Sequence, residues 1–190
     1  LNYGTVIKTK DGRYYSKVTN NDNDAGGRIM IQMDNVTLVN EDIIEFSDEY
    51  NTSKIVNIDT ANKESALKNS NEWFSKLLSE KHINSAYVQS ITDGTMNISK
   101  ATVGKKVVTR VFDHKHTELT TDGLVDNIVC DVVLEFSGLW FMRNSFGPIW
   151  RLAQVRLPRP KKNIYPDQCL FMPCDGGEQD DEDEDDDDFV

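Results

Sequence analysis

The sequence predicts a mainly β protein, most simply a small barrel that carries one inserted helix and ends in a disordered acidic tail. Several short segments alternate apolar and polar residues with the period of two that is typical of strands. One segment has apolar residues at helical spacing, and the last sixteen residues include eleven Asp or Glu and no Lys or Arg. A run of like charge this dense repels itself and buries too little apolar surface to order.

The first half of the chain contains short strand candidates separated by polar turns. Asp34-Asn35 lies between two alternating segments and predicts a hairpin. The predicted strands are Thr5–Lys8, Tyr14–Val18, Arg28–Met33, Val36–Asn40 and Ser53–Ile58. One helix is predicted within Asn62–Glu80, because its apolar residues recur at spacings of three, four and seven.

The second half is more strongly β. A long strand interrupted at Gly138 and a returning strand around the turn Ser145–Pro148 form the best hairpin in the chain. The predicted strands are Lys106–Phe112, Asn127–Phe136, Leu139–Arg143 and Ile149–Leu157. Short strands with one helix between them favour an OB-like Greek-key barrel, with a β-sandwich as the alternative. We expect a nucleic-acid-binding domain over residues 1–157, a basic, proline-containing strap over 158–174 and the disordered acidic tail over 175–190.

Charge is segregated along the chain. The 32 acidic and 21 basic residues give a net charge of −11, and the acidic tail accounts for all of it. Residues 100–162 carry 11 basic and 6 acidic residues, a net charge of +5. Local charge, not the average, is what a partner meets, so this segment favours a polyanionic ligand.

Other features narrow the class of protein. No apolar run reaches the length of a membrane helix, and we see no signal peptide. The three cysteines are an odd number, which is typical of a reduced, intracellular protein. The phosphate-binding, dinucleotide-binding and serine-hydrolase motifs are missing, and His114-Lys115-His116 is at most half a metal site. We therefore expect no enzymatic activity, catalytic residue, metal or cofactor.

Cationic and aromatic residues are interleaved in the basic segment. Cations neutralise phosphates, and flat rings offer surfaces on which unstacked bases lie, worth about 1–3 kcal/mol per base. The predicted DNA-binding residues are Lys105, Lys106, Arg110, Phe112, Trp140, Phe141, Arg143, Trp150, Arg151, Arg156, Lys161 and Lys162. Because Trp and Phe in a hairpin are more often core residues, we expect at least half of the rings in this segment to be buried.

The C-terminus and residues 131–157 together resemble a known family. The D-D-D-D-F ending on a small β domain is similar to the single-stranded DNA-binding proteins of the phage T-seven type, including those of nucleocytoplasmic large DNA viruses. The stretch D-V-V-L-E-F-S-G-L-W-F-M-R-N-S-F-G-P-I-W-R-L-A-Q-V-R-L carries the likeness to the viral members. One departure is that Val190 follows Phe189, whereas the family's tails usually finish on Phe.

The resemblance implies an OB fold and a role in DNA replication, recombination and repair, in the host cell at sites of viral DNA replication if the chain is viral. It also implies that the tail contacts the replicative DNA polymerase and the helicase-primase. The residues that carry this role by position are Asp185, Asp186, Asp187, Asp188 and Phe189. A homodimer is compatible with this interpretation, and no membrane partner is expected.

Charge separation also suggests a role for the tail within the chain itself. A tethered polyanion competes with nucleic acid for a cationic surface, so we expect the tail to gate DNA binding. Two other hypotheses remain open at this point. One is an acidic-tailed chaperone for basic proteins such as histones, and the other is an enzyme that uses Cys130 or His114.

Overall fold

The structure is mainly β, as the sequence predicts. This computed structural model describes residues 1–10, 12–20, 27–120 and 126–160. The first strands and helices are β1 Asn2–Tyr3, β2 Ile7–Lys8, β3 Tyr14–Thr19, β4 Ile29–Asn40, β5 Ile43–Glu45, α1 Glu49–Lys68, α2 Ser70–Phe74 and α3 Glu80–Ala86. The strands that follow are β6 Ile91–Thr92, β7 Thr95–Asn97, β8 Ser99–Lys100, β9 Thr102–Val103, β10 Lys106–Val107, β11 Arg110–Phe112, β12 Glu118–Leu119, β13 Ile128–Phe141 and β14 Phe146–Arg156.

A long hairpin forms the centre of the sheet. β13 and β14 are antiparallel, and the turn between them closes where the Met142 N–H donates to the Ser145 carbonyl at 2.8 Å. On its other edge β13 pairs with β4 and then with β3, whereas β14 takes β8 and β11 as parallel neighbours. The hairpin predicted from the second half of the sequence is therefore confirmed, but its turn is misplaced, since Phe146–Pro148 belong to β14 and the chain turns between Met142 and Ser145.

The sheet is not closed into a barrel. Among the described residues, hydrogen bonding runs in the order β12-β11-β14-β13-β4-β5-β7-β6, and no pairing joins the two ends of this path. The strands at the two ends of this path, β12 and β6, are short, with two residues each. The prediction of an OB-like barrel with one inserted helix is thus confirmed only in its β class, since the described residues form an open sheet and three helices.

Gly138 marks the point at which β13 changes partner. Residues before it pair with β4, and residues from Gly138 to Phe141 pair with β3. Its φ of 154° favours glycine, and a Cβ at this position would lie 2.6 Å from Cε2 of Tyr15. The glycine therefore allows the Tyr15 ring to lie directly against the backbone of β13, beside the register shift that follows Phe136.

Two elements differ from their predictions for local reasons. Ser53–Ile58 is not a strand but part of α1, because Asp48 caps the helix and accepts from the Asn51 N–H at 2.7 Å. The turn predicted at Asp34-Asn35 is instead a bulge inside the continuous strand β4, where Asn35 has a φ of 54°.

The predicted helix Asn62–Glu80 is broken into parts. Its start is the end of α1, its middle is α2, and Ser75 ends α2 with a φ of 55°. α3 follows, capped by the Ser79 hydroxyl. The buried stripe of α1 is partly polar, so its hydrophobic periodicity is weak in the sequence; the stripe comprises Asn51, Ile55, Asp59, Asn62 and Ala66.

A hydrogen-bonded polar network joins α1 to the inner face of the sheet. The buried Asp59 carboxylate accepts from the Tyr87 hydroxyl at 2.7 Å and from the Ser90 N–H and hydroxyl at 2.9 and 2.6 Å. The Ser90 oxygen in turn accepts from Nε1 of Trp150 at 2.8 Å. Burial raises the pKa of Tyr87, so this hydroxyl stays a donor. Each member of the network has a partner, as buried polar groups require.

Candidate functional site

The solvent side of the central strands carries most of the charged residues that the fold brings together. Along β13 the even-numbered residues from Cys130 to Phe136 are buried, and the odd-numbered residues between them are half-buried. Strand alternation places these odd-numbered side chains on the face opposite the core. We call this surface the outer face and define it by Met30, Gln32, Arg110, Phe112, Asp131, Val133, Glu135, Arg151, Ala153, Gln154 and Arg156.

Two adjacent depressions lie on the outer face. The first, of about 240 Å³, lies between β11, β14, β13 and β4 and includes Phe112, Asp131 and Arg156. The second, of about 200 Å³, includes Arg110, Glu135 and Arg151. Gln154 borders both, so the depressions form one interrupted trough across the strands.

Arg156 is held by contacts on two sides. Its Nε and Nη2 donate to Oδ2 of Asp131 at 3.0 and 2.6 Å, and its Nη1 lies 3.3 Å from Nε2 of His116. The other carboxylate oxygen of Asp131 accepts from the Asn35 N–H at 3.0 Å. The bulge in β4 therefore fixes Asp131, and Asp131 fixes the guanidinium group across the first depression.

Arg110 lies against an aromatic ring at the edge of the same face. Its Nε and Nη2 donate to the two oxygens of Glu118 at 2.8 and 2.6 Å, and its guanidinium carbon lies 5.0 Å from the centre of the Phe112 ring. These hydrogen bonds lower the pKa of Glu118, which keeps the carboxylate ionised at neutral pH. Both side chains are about half exposed, so this pair is accessible to solvent.

The remaining cations of the outer face differ in their pairing. Arg28, at the rim of the second depression, lies 3.9 Å from Glu135. Arg151 has no ion pair within 4.0 Å among the described residues, and its charge opposes the rise in the pKa of Tyr15 that burial causes. Four arginines thus face three carboxylates, and Arg151 is the unpaired cation.

The structure brings together part of the predicted DNA-binding set. Arg110, Phe112, Arg151 and Arg156 share the outer face. Lys105 and Lys106 are exposed in the short β9–β10 hairpin, whose Thr102 and Val103 border the second depression. The fold therefore places six of the predicted DNA-binding residues on or beside the outer face.

Two predicted stacking residues are unavailable to a ligand. Trp150 is only 4% exposed, with its ring N–H committed to Ser90, and Phe141 is 7% exposed and stacked on Phe146. Both point to the inner face because strand alternation assigns them there, so the stacking role predicted for them is wrong. Trp140, on the opposite face of β13, is half-buried and keeps part of its ring accessible.

Arg143 lies away from the outer face. It borders a separate depression of about 230 Å³ between the β13–β14 turn and the helices, together with Lys76 and His82. The remaining predicted residues, Lys161, Lys162, Asp185–Asp188 and Phe189, lie outside the described residues, as do most of the strap and all of the acidic tail.

Several outer-face residues were missed by sequence reasoning. Gln32 and Met30 alternate with buried residues on β4, so their exposure could have been read from the period of two. His116 and Glu118 come from a loop and an edge strand, and only strand pairing brings them beside β11 and β14. Asp131 and Glu135 were counted in the segment's net charge, but their pairing with the arginines depends on register.

The buried cysteine, the metal-ligating side chains and the helices bear on other kinds of function. Cys130 is buried, and burial raises the pKa of its thiol to about 11, which leaves it protonated and a poor nucleophile. Within the described ranges, no three His, Cys, Asp or Glu side chains converge as a metal-binding group. No helix in the described part of the chain combines the length and apolarity needed to cross a membrane.

Comparisons with known proteins give a family and no function. A search of curated proteins finds no match, and a search of solved structures finds none either. A family profile matches residues 31–173, a span that includes β13, β14 and nearly all of the outer face. Because this match covers well over half of the sequence, the chain belongs to DUF5871, a family of unknown function.

Proposed function

We propose that the protein binds single-stranded DNA along the outer face and acts, without enzymatic activity, in DNA replication, recombination and repair. The observation that carries this proposal is the gathering of the three outer-face arginines, with Arg28 beside them, and a half-buried aromatic ring on one sheet surface. Cations that track phosphates and rings that accept unstacked bases are the two requirements for binding single strands.

The ion pairs of the outer face are compatible with this role. Exposed pairs contribute only about 0–1 kcal/mol each, because both groups are well solvated and the side chains lose entropy on pairing. Arg110 and Glu118 are about half exposed, so a phosphate can replace the carboxylate at little cost. The paired carboxylates also hold the arginines extended over the sheet before DNA arrives.

Base stacking is assigned to fewer rings than the sequence suggested. Phe112 is the main candidate, because its ring borders the first depression and lies beside the Arg110 guanidinium group, which is able to bind a phosphate next to a stacked base. Trp140 is the second candidate, since it is only half-buried. An OB-type arrangement stays a proposal, and binding does not depend on it, because one exposed sheet face is sufficient to hold a strand.

The acidic tail is proposed to regulate this surface and to recruit partners. Its eleven carboxylates offer the same kind of charge as DNA, so the tail competes for the arginines when no DNA is bound. DNA binding would then release Asp185–Asp188 and Phe189 for the replicative polymerase and the helicase-primase.

Binding is best measured by the fluorescence anisotropy of labelled oligo-dT. Intrinsic Trp fluorescence is a poor probe, because Trp73 and Trp150 are buried and only Trp140 is near the surface. We expect affinity to fall steeply with salt. The double variant Arg110→Gln/Arg151→Gln should reduce the slope of the logarithmic salt dependence by about 1.4, since each of the two lost phosphate contacts contributes a slope of about 0.7 for single strands.

The matched control is Arg143→Gln, which removes an exposed arginine outside the outer face and should leave the salt dependence nearly unchanged. An equal reduction of the salt dependence in the double variant and in the control would contradict the location of the site on the outer face. No binding of oligo-dT at low salt, together with tail-dependent capture of histones, would favour the chaperone for basic proteins instead.

Deletion of residues 175–190 tests the regulatory role of the tail. Removing this competitor should tighten oligo-dT binding several-fold at low salt, with little effect at high salt, where both interactions are screened. The measurement is the same anisotropy titration on the full chain and on the truncated chain. An affinity that is the same at every salt concentration would contradict the competition.

A further inference from the structure

The first depression on the outer face contains a pre-oriented guanidinium group. Arg156 uses its Nε and one Nη2 proton on Asp131 and lies within reach of His116 through Nη1. An arginine carries five N–H donors, so at least one on each terminal nitrogen is left over. Asp131 is fixed in turn by the Asn35 N–H, so the orientation of these remaining donors is set before a ligand binds.

The walls of this depression suit a flat, polar-edged ring. Its lining includes Phe112, which is aromatic, Val133, which is apolar, and two residues with amide side chains, Gln32 and Gln154. The volume of about 240 Å³ is below the roughly 300–1,000 Å³ typical of sites for drug-sized ligands. It therefore fits a single base better than a larger molecule.

The local charge discriminates between two groups of a nucleic acid. A phosphate at the remaining Arg156 donors would lie close to the Asp131 carboxylate, and the two negative charges would repel each other. A neutral base edge with two adjacent acceptors avoids this repulsion. Guanine presents such an edge through O6 and N7, and a two-pronged contact from arginine to these atoms is the commonest base-specific contact of proteins.

We propose that the first depression binds one guanine base, with Arg156 donating to O6 and N7 and Phe112 stacking on the ring. This inference rests on the proposed binding of single-stranded DNA and adds a base preference to it. Asp131 is a positioning residue that holds Arg156 for the base. In the second depression, Arg151 makes no ion pair within 4.0 Å in the part of the chain that the structure describes, so we assign this depression to phosphates.

The test compares three labelled oligonucleotides of about 12 nucleotides, a length within the range that one small domain covers. The first is oligo-dT, the second carries one central dG, and the third carries 7-deaza-dG, which lacks only the N7 acceptor. The full-length wild-type protein should bind the dG oligonucleotide roughly tenfold more tightly than oligo-dT, and 7-deaza-dG should remove most of that gain.

Arg156→Lys keeps the positive charge and removes the two-pronged donor. The ratio of the two affinities, dG over dT, should fall to about one in this variant and fall several-fold in Asp131→Asn. Arg143→Lys, the matched control in the separate depression, should keep the wild-type ratio. Circular dichroism and thermal melting establish that each variant is folded.

Failure of the inference is distinct from failure of the proposed function. A wild-type protein that binds all three oligonucleotides equally, or variants that keep the dG preference, would overturn the guanine site while leaving DNA binding intact. If 7-deaza-dG binds as dG does and Arg156→Lys changes only the salt dependence, then Arg156 contacts phosphate and the inference is again overturned. If no oligonucleotide binds, the proposed function itself is wrong.

Discussion

Carboxylates on the two sides of the central sheet have different partners: the inner one accepts hydrogen bonds from neutral groups, and the outer one pairs with a cation. On the inner face, Asp59 is buried and accepts hydrogen bonds from the neutral groups of Tyr87 and Ser90. On the outer face, Asp131 is accessible and pairs with the cation of Arg156. The buried contacts have no solvent to replace them, whereas the exposed contacts compete with water and with any anion that approaches.

This difference separates residues that hold the fold from residues that are available for function. A buried polar group that loses its partner leaves a desolvated donor behind, so the inner network tolerates little change. The outer pairs contribute less to stability, so their residues are available for binding. The following predictions test that division, beginning with the largest expected effect.

Substitution at Asp59 should be far more destabilising than substitution at Asp131. Asp59→Ala removes the acceptor for three buried hydrogen bonds, and we expect a loss of roughly 3 kcal/mol or more in the free energy of unfolding. Asp131→Ala should cost about 1 kcal/mol, because its ion pair is only half-buried and water can replace the lost carboxylate. Urea unfolding followed by far-ultraviolet circular dichroism measures both, and similar losses would contradict the division between the faces.

Gly138→Ala tests the point at which β13 passes from one partner strand to the other. A methyl group there would overlap the Ser16 carbonyl oxygen and the Tyr15 ring, and we expect a loss of about 2–3 kcal/mol in stability. Gly104→Ala is the matched control, since its φ is also positive but no atom lies within 4 Å of the added carbon. Its expected cost is about 1 kcal/mol, from backbone strain alone. Thermal melting of the two variants side by side makes the comparison.

The smallest expected effect is the pH dependence of the Arg110–Glu118 pair. Hydrogen bonds from Arg110 lower the pKa of Glu118 in the folded state, so the pair contributes stability above the ordinary pKa of a glutamate. That contribution is lost as the pH falls through the lowered pKa. Glu118→Gln should therefore differ slightly from wild type at neutral pH and converge with it in acid. A difference that grows on acidification would contradict the assignment.

The long hairpin and the basic segment are predictable from the sequence, because both depend on patterns among residues that are close together in the chain. The alternation of β13 survives in the structure, and so does the clustering of Arg110, Arg151 and Arg156. α1 was missed in part because its buried stripe includes Asn51, Asp59 and Asn62, which weaken the apolar period. The sequence predicts a turn where the structure has the bulge at Asn35, since turns and bulges use the same residue types and a positive φ.

Local patterns of residue type are sufficient to establish the segregation of charge, the β class and the two-sided character of the central strands. Which side is covered depends on how the whole chain packs, and this packing makes Trp150 a core residue and leaves Phe112 at the border of a depression. A period of two shows that the faces of a strand differ, but covering one of them needs α1 and its polar network. The pairing of Asp131 with Arg156 likewise depends on a register between strands, because residues 25 positions apart meet only when the hairpin closes.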